Sequence, residues 1–282
     1  LSVDRYFIVN SKHKIVDLSK LEKYDSKKMY AVYDKWPEIA RKSFESKQIL
    51  VDFDGIKHII FAGMGGSGAI GDIFASVISK SNIHVNVIKG YVLPKTVTSD
   101  TLVIVTSVSG NTTETLSILK SAQKLNCKII AFSSGGEMLE YCKENKIMYR
   151  KITQYHSPRA SFTSYLYTML KVLHLTLKIK HEDILESIEG LKKINKEINS
   201  LNLNDCNPAL KLAKWITGIT VIYYPFGLQS ASIRFKNSLQ ENAKIHAITE
   251  DVIEACHNEI VSCEKESNIV PILIQGDDDN IK

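Results

Sequence analysis

Hydroxyl side chains are concentrated in one short stretch, residues 106–115, where the sequence reads TSVSGNTTET. The stretch lies between an apolar, β-branched run and an amphipathic segment, so it joins a buried strand to a helix. Ligands of open α/β folds bind at the carboxyl ends of the strands, and the N–H groups of a helix N-terminus favour an anion. We therefore predict that Ser107, Ser109 and Thr112 bind a phosphate, with Gly110 allowing close approach of the backbone. The simpler alternative is a hydroxyl that only caps the helix.

Glycine dominates a second loop, GMGGSG at residues 63–68, which follows the apolar run KHIIFAG. Its spacing satisfies GxGxxG, which by itself is a weak sign of dinucleotide binding. A dinucleotide site also needs an acidic residue at the end of the next strand, and that strand ends in Lys89-Gly90. The sequence has no GxxxxGK[ST] nucleotide loop either. The loop is therefore a structural tight turn or, as we favour, a backbone surface that closes over a sugar.

The elements that must position these loops alternate between short apolar runs and amphipathic segments. Five strands are predicted, at 57–63, 84–90, 101–108, 127–134 and 147–152. Helices are predicted between them, at 68–81, 111–126 and 137–146. This order of elements predicts an α/β fold with a doubly wound parallel sheet.

The remainder of the chain predicts a second lobe of the same kind. A helical region at 159–201, interrupted near residues 180–183, precedes strands at 219–227, 246–249 and 268–276 and helices at 229–244 and 252–264. Another helical segment, at 17–48, precedes the first strand. We predict an N-terminal helix plus a first lobe at 1–158, a helical bridge at 159–206, and a second lobe at 207–282. The chain stops just after a strand, so we expect this lobe to be incomplete at its C-terminus.

Composition limits the class of protein. The formal net charge of +5 is spread evenly along the chain, which argues against nucleic acid as a partner. No apolar run is long enough to span a bilayer, and the first residues do not read as a signal peptide, so we expect a cytoplasmic protein. The five cysteines form no CxxC pair, and no cluster has zinc spacing. Free thiols and no metal site are therefore expected.

The two loops together, GMGGSGAIGD and TSVSGNTTET, resemble the first half of a sugar isomerase (SIS) domain. The chain from the glycine loop to about residue 275 resembles the archaeal-type bifunctional phosphoglucose/phosphomannose isomerases, including LQENAK at 239–244 and HNE at 257–259. The resemblance implies two SIS lobes, a homodimer, and aldose–ketose isomerisation of a hexose 6-phosphate. It implies no cofactor and no metal.

The resemblance also assigns roles to single residues. Glu241 would be the base that moves a proton between C2 and C1, because a carboxylate can take and return it. Arg159 would stabilise the developing oxyanion, since its guanidinium stays charged and offers fixed donors. The partner subunit's His257 would assist ring opening near neutral pH. The expected substrate-binding residues are Gly65, Gly66, Ser67, Ser107, Ser109 and Thr112.

Two points depart from the family pattern. Val108 stands where the family usually has an aromatic residue, which affects only local packing. The family's ring-opening lysine lies in a C-terminal segment beyond the matched motifs, and Lys282 is not at its position.

Two other functions fit the same lobes. SIS domains also serve as sugar-phosphate sensors without catalysis, but such proteins carry a DNA-binding helix or another partner domain. Other SIS isomerases act on heptose, amino-sugar or arabinose phosphates, usually with one lobe or a separate amidotransferase domain. Two lobes together with Glu241 and His257 favour the hexose-phosphate isomerase.

Overall fold

The computed structural model describes residues 16–276 and contains two parallel sheets. The first sheet has the strand order β2-β1-β3-β4-β5, and the second has the order β7-β6-β8. The strands of the first sheet are β1 His58–Ala62, β2 His84–Ile88, β3 Thr101–Ser107, β4 Lys128–Ser133 and β5 Met148–Lys151. Those of the second are β6 Ile219–Tyr224, β7 Ala247–Asp251 and β8 Ile269–Leu273. All pairings are parallel, so the predicted α/β fold class is confirmed.

Helices cross between the strands, as parallel pairing requires. They are α1 Leu18–Tyr24, α2 Tyr30–Asp34, α3 Trp36–Phe44, α4 Gly65–Val77, α5 Thr113–Gln123, α6 Gly136–Glu144, α7 Phe162–Leu177, α8 His181–Ile198, α9 Pro208–Trp215, α10 Gln229–Ser238 and α11 Val252–His257. A π-helical turn, Leu239–Ala243, continues α10, and a 3-10 segment, Glu259–Glu264, follows α11. The single helical segment predicted at 17–48 is three short helices, because Lys28 takes a left-handed conformation and Pro37 starts a new helix. Helix α9 was not predicted.

The central strands of the first sheet are buried on both faces, which explains their continuous apolar sequence. Every residue of β1 and of β3 is buried. Alternate residues point to opposite faces: Ile59 and Ile104 pack with the cluster that includes α3, α4 and α7, whereas Ile60 and Val103 pack with α5 and α6. Burial on both faces is the usual state of a parallel sheet, so this core fixes where the strand ends and their loops lie.

Helix α7 packs into the core of the first lobe. Its residues Tyr165, Met169 and Leu173 are fully buried in the same cluster as strands β1 and β3. The helix ends at Leu177, and the next residue, Lys178, has a φ of 54° and closes the last turn, as the interruption near residue 180 indicated. The proposed domain limits are still a prediction, but the start of the predicted bridge is structurally part of the first lobe.

Candidate functional site

The hydroxyl-rich loop follows β3 at the carboxyl edge of the first sheet. Ser107 Oγ accepts from the backbone N–H of Gly110 at 3.1 Å and lies 2.9 Å from Thr112 Oγ1. Ser109 Oγ accepts from the N–H of Asn111 at 3.2 Å. Gly110 has a φ of 74°, and a methyl group there would overlap the carbonyl oxygen of Gly135. The loop is therefore tightly wound, and only glycine fits at its centre.

The neighbouring loop after β4 holds this turn in place. Asn111 Oδ1 accepts from Glu137 N at 2.9 Å, and Gly110 O accepts from Met138 N at 2.9 Å. On the inner side, Tyr165 Oη donates to Val108 O at 3.1 Å. Burial raises the pKa of Tyr165, which keeps this donor protonated. The hydroxyls are thus presented by a rigid frame.

Helix α5 supplies free donors to the same loop. In the described part of the chain, the backbone N–H groups of Thr112, Thr113 and Glu114 have no protein acceptor. They lie beside the hydroxyls of Ser107 and Thr112, of which the first is buried and the second half-buried. Unpaired N–H groups and hydroxyls at a helix N-terminus are the donors that a phosphate needs.

The glycine loop forms the start of helix α4. A Cβ at Gly63 would lie 2.9 Å from Ser67, and one at Gly68 would lie 2.8 Å from the Gly63 carbonyl oxygen, so both glycines serve close packing. Gly65, with a φ of 53°, and Gly66 have nothing within 4 Å of such an atom. The loop therefore has two parts: a tight turn, and an open backbone surface at Gly65 and Gly66. Ser67, the next residue, is buried.

An ion pair joins the two lobes. Arg159 Nε, in the segment after β5, lies 2.9 Å from Glu241 Oε2 in the π-helical turn after α10. Arg159 Nη1 also donates to the Glu241 carbonyl at 3.1 Å and to Asn242 Oδ1 at 3.2 Å. About a third of each charged side chain is exposed, 34% for Arg159 and 37% for Glu241, so both can meet a ligand.

The π-helical turn sets the direction of Glu241. The sequence predicted an ordinary helix through residue 244, but α10 ends at Ser238 and the wider turn takes over. The next residue, Lys244, has a φ of 60° and caps the turn, and its Nζ donates to the Glu241 carbonyl at 2.7 Å. Such π-turns within helices are frequent at functional sites.

Comparison with known proteins identifies the family of the chain. A model of the SIS domain matches residues 53–178, and a model of the bacterial phospho-glucose isomerase C-terminal SIS domain matches residues 205–282. A bifunctional phosphoglucose/phosphomannose isomerase of Caldicellulosiruptor bescii is 32% identical over 245 residues, which cover 83% of this chain and 71% of that protein. The chain belongs to the SIS-domain phosphoglucose/phosphomannose isomerase family. It is thus an isomerase of sugar phosphates.

The phosphoglucose/phosphomannose isomerase family contains further relatives of the chain. The bifunctional enzyme of Thermoplasma acidophilum is 33% identical over 215 residues, 74% of this chain and 65% of that protein. A D-glucosamine-6-phosphate 4-epimerase of Sulfolobus acidocaldarius is 30% identical over 258 residues, 88% of this chain and 78% of that protein. The relatives of the chain thus carry two different named activities.

Solved structures agree with the SIS fold of the family. The C-terminal domain of glucosamine-fructose-6-phosphate aminotransferase from Francisella tularensis matches with a TM-score of 0.63 at 18% identity, covering 89% of this chain and 76% of that one. A Thermus thermophilus protein matches with a TM-score of 0.66 at 15% identity, covering 90% and 68%. At this identity the likeness shows the fold alone.

His257 is not joined to the Arg159–Glu241 pair in the described part of the chain. It is the last residue of α11 and is exposed. In the described residues no hydrogen bond or ion pair joins it to Arg159 or Glu241. An action across a subunit interface stays a prediction for this residue.

Residues 16–276 contain no group of three or more metal-binding side chains that could hold an ion. None of their helices is long and apolar enough to cross a membrane.

The sequence analysis did not identify a further set of residues at the site. These residues hydrogen-bond the backbone and side chains next to the Arg159–Glu241 pair. Arg234 donates to the Arg159 carbonyl, Trp36 donates to the Ala160 carbonyl, and Tyr33 accepts from Asn242.

Proposed function

We propose that the chain interconverts glucose 6-phosphate, and mannose 6-phosphate, with fructose 6-phosphate through a cis-enediolate. The observation that carries the proposal is the Arg159–Glu241 ion pair, which brings a cation and a carboxylate from the two lobes into contact. Isomerisation needs these two groups side by side, because the carbon proton is removed while negative charge develops on the neighbouring oxygen. The names of the C. bescii and T. acidophilum relatives support the same substrates.

The phosphate of the substrate would bind at the β3–α5 loop. Its donors would be the hydroxyls of Ser107, Ser109 and Thr112 and the free N–H groups of α5, whose dipole favours an anion. The sugar would lie over the open backbone of Gly65 and Gly66. The phosphate is far from the reacting carbons, so its binding energy can be used to hold C1 and C2 near the Glu241 carboxylate.

The proton transfer would then use a single base. The Glu241 carboxylate takes the proton from C2 of the open-chain aldose, so the C2–H bond breaks and the electron pair forms the enediolate. Arg159 stabilises the oxyanion, and Glu241 returns the proton to C1 while the O2 proton moves to O1. Atoms and electrons balance within the substrate, so no oxidant or reductant is needed. The partner subunit's His257 is proposed to open the ring, and the protein to be a cytoplasmic homodimer.

The proposal is tested with a coupled assay for fructose 6-phosphate formed from each aldose phosphate. We expect turnover of glucose 6-phosphate, and in deuterium oxide we expect solvent deuterium in the recovered aldose at C2. No turnover of either aldose phosphate would refute the proposal.

A second candidate is 4-epimerisation of an amino-sugar phosphate. The 4-epimerase of S. acidocaldarius aligns with 88% of this chain, a larger share than the C. bescii isomerase covers. The same assay should therefore include glucosamine 6-phosphate, with the product identified by proton NMR at C4. Inversion at C4 without formation of a ketose would favour the epimerase.

A further inference from the structure

The guanidinium of Arg234 lies behind the Arg159–Glu241 pair, outside the set of residues with a proposed chemical role. Its Nη2 donates to the Arg159 carbonyl at 3.0 Å. Its Cζ lies 4.6 Å from the ring centroid of Phe162 and 5.9 Å from that of Trp36. Contacts with two aromatic faces restrict the movement of a guanidinium, which helps to hold the donor to Arg159 in place.

The N-terminal helices contribute to the same place. Tyr33, in α2, accepts a hydrogen bond from Asn242 Nδ2 at 3.2 Å, and its ring packs edge-on against Trp36 with the ring centroids 4.7 Å apart. Trp36, in α3, donates from Nε1 to the Ala160 carbonyl at 2.8 Å. The two helices therefore hold both the segment that carries Arg159 and the turn that carries Glu241.

These contacts close a ring. Arg234 lies over the ring of Trp36, and Trp36 packs against Tyr33. Tyr33 accepts from Asn242, Asn242 accepts from Arg159, and the Arg159 carbonyl accepts from Arg234. We call these five residues the arginine ring. Glu241 precedes Asn242 and is paired with Arg159, so the ring fixes both ends of the ion pair.

The energetics of Arg234 favour a function over simple stability. Burial lowers the pKa of Arg234, which means that the folded protein places this charge at some cost. Its Nε is buried, and none of the described residues accepts a hydrogen bond from it. A buried cation of this kind adds little to the free energy of unfolding. Its fixed donors instead orient the segment that carries Arg159.

We propose that Tyr33 and Arg234 are positioning residues, which set the orientation of the Arg159 guanidinium against Glu241 through the arginine ring. The N-terminal helical segment is then part of the active site without touching substrate. This inference rests on the proposed function in so far as activity is its readout. Misplacement of a catalytic group by about 1 Å can cost on the order of 100-fold in rate, so a single lost hydrogen bond in the ring should be visible in kcat.

Tyr33→Phe is the main test, because it removes one hydroxyl and keeps the aromatic ring. The matched control is Tyr30→Phe on the same helix, whose hydroxyl donates to Glu22 at 3.1 Å outside the ring. We expect Tyr33→Phe to lower kcat by about 10- to 100-fold with KM changed by less than about twofold, and to share the thermal midpoint of Tyr30→Phe. A kcat equal to that of Tyr30→Phe, or a loss confined to KM, would overturn the proposal.

A double-mutant cycle separates positioning from a general loss of structure. An Arg159→Lys variant lacks the planar guanidinium that the ring orients. Adding Tyr33→Phe to that variant should therefore change kcat by less than about twofold. An undiminished further loss in that background would show that Tyr33 acts elsewhere, against the proposal. Arg234→Lys should lose kcat as Tyr33→Phe does, since lysine keeps the charge and lacks the planar fork.

One measurement does not depend on the proposed reaction. The Arg159 Hε signal in a proton–nitrogen NMR spectrum is assigned by its loss in Arg159→Lys. We expect it to shift or broaden in Tyr33→Phe and to stay in place in Tyr30→Phe. A wild-type protein that isomerises no hexose phosphate would refute the proposed function alone, and an Arg159 signal unmoved by Tyr33→Phe would refute the arginine ring.

Discussion

Arg159 and Glu241 face each other across the two lobes, with Nε and Oε2 2.9 Å apart. The residues are 82 positions apart in the chain, so only the packing of α10 and the segment after β5 brings them together. An ion pair with about a third of each side chain exposed contributes little to stability, typically less than about 1 kcal/mol. The pair therefore supports the proposed role of both residues in chemistry on a bound ligand.

Glu241→Gln should leave substrate binding nearly unchanged and lower kcat by about 10²- to 10⁴-fold, because an amide cannot accept the carbon proton. The measurement is the initial rate of fructose 6-phosphate formation, together with the inhibition constant of a substrate analogue. The control is Glu186→Gln, an exposed glutamate of α8, which should keep wild-type rates. Full turnover by Glu241→Gln would remove this residue from the mechanism.

Thr112→Val should raise KM for the sugar phosphate by about tenfold or more, because it removes a hydroxyl donor while keeping the side-chain shape. Inorganic phosphate should inhibit the variant less well, in the same proportion. Thr113→Val is the matched control, since Thr113 is the exposed next residue of the same helix turn. Equal KM values for the two variants would place the phosphate elsewhere.

Gly110→Ala should destabilise the fold by several kcal/mol or prevent its formation. The residue has a φ of 74°, and a methyl group would overlap the Gly135 carbonyl. Gly190→Ala is the contrasting variant, because Gly190 lies within helix α8 with nothing within 4 Å of an added Cβ. That change should stabilise by up to about 1 kcal/mol in urea unfolding. A Gly110→Ala protein as stable as the wild type would contradict the tight turn.

Stability should fall between about pH 9 and pH 11 because of Cys142. Burial raises the pKa of this thiol from 9.0 to about 11, so the unfolded chain loses its proton at lower pH than the folded protein. A raised pKa in the folded state contributes stability that is complete below the unfolded value and is lost as the pH passes the folded value.

The measurement is the urea midpoint of wild type and Cys142→Ala as a function of pH. We expect the difference between them to change by roughly 2 kcal/mol across this window, in the direction of weaker wild-type folding at high pH. Cys206→Ala replaces an exposed thiol, so its curve of urea midpoint against pH should run parallel to that of the wild type. A parallel curve for Cys142→Ala would mean that the thiol is not the titrating group.

Several parts of the fold could be predicted because they are local. Continuous apolar runs marked the two central strands of the first sheet, which are buried at every residue. The break between α7 and α8 was also visible in the sequence. Helix α9 and the π-helical turn at Leu239–Ala243 were not predicted, since hydrophobic spacing does not distinguish a π-turn from an α-helix.

The sequence by itself determined the family and the alternating fold and predicted the phosphate loop, because each depends on residues close together in the chain. It also singled out Arg159 and Glu241 as residues, through motifs that the family shares. Only the tertiary structure decided that they touch, and that Tyr33 and Arg234 hold them from behind. The physical reason is that hydrogen bonds between residues far apart in sequence leave no periodic signal, and they form only when the cores of both lobes have fixed their helices.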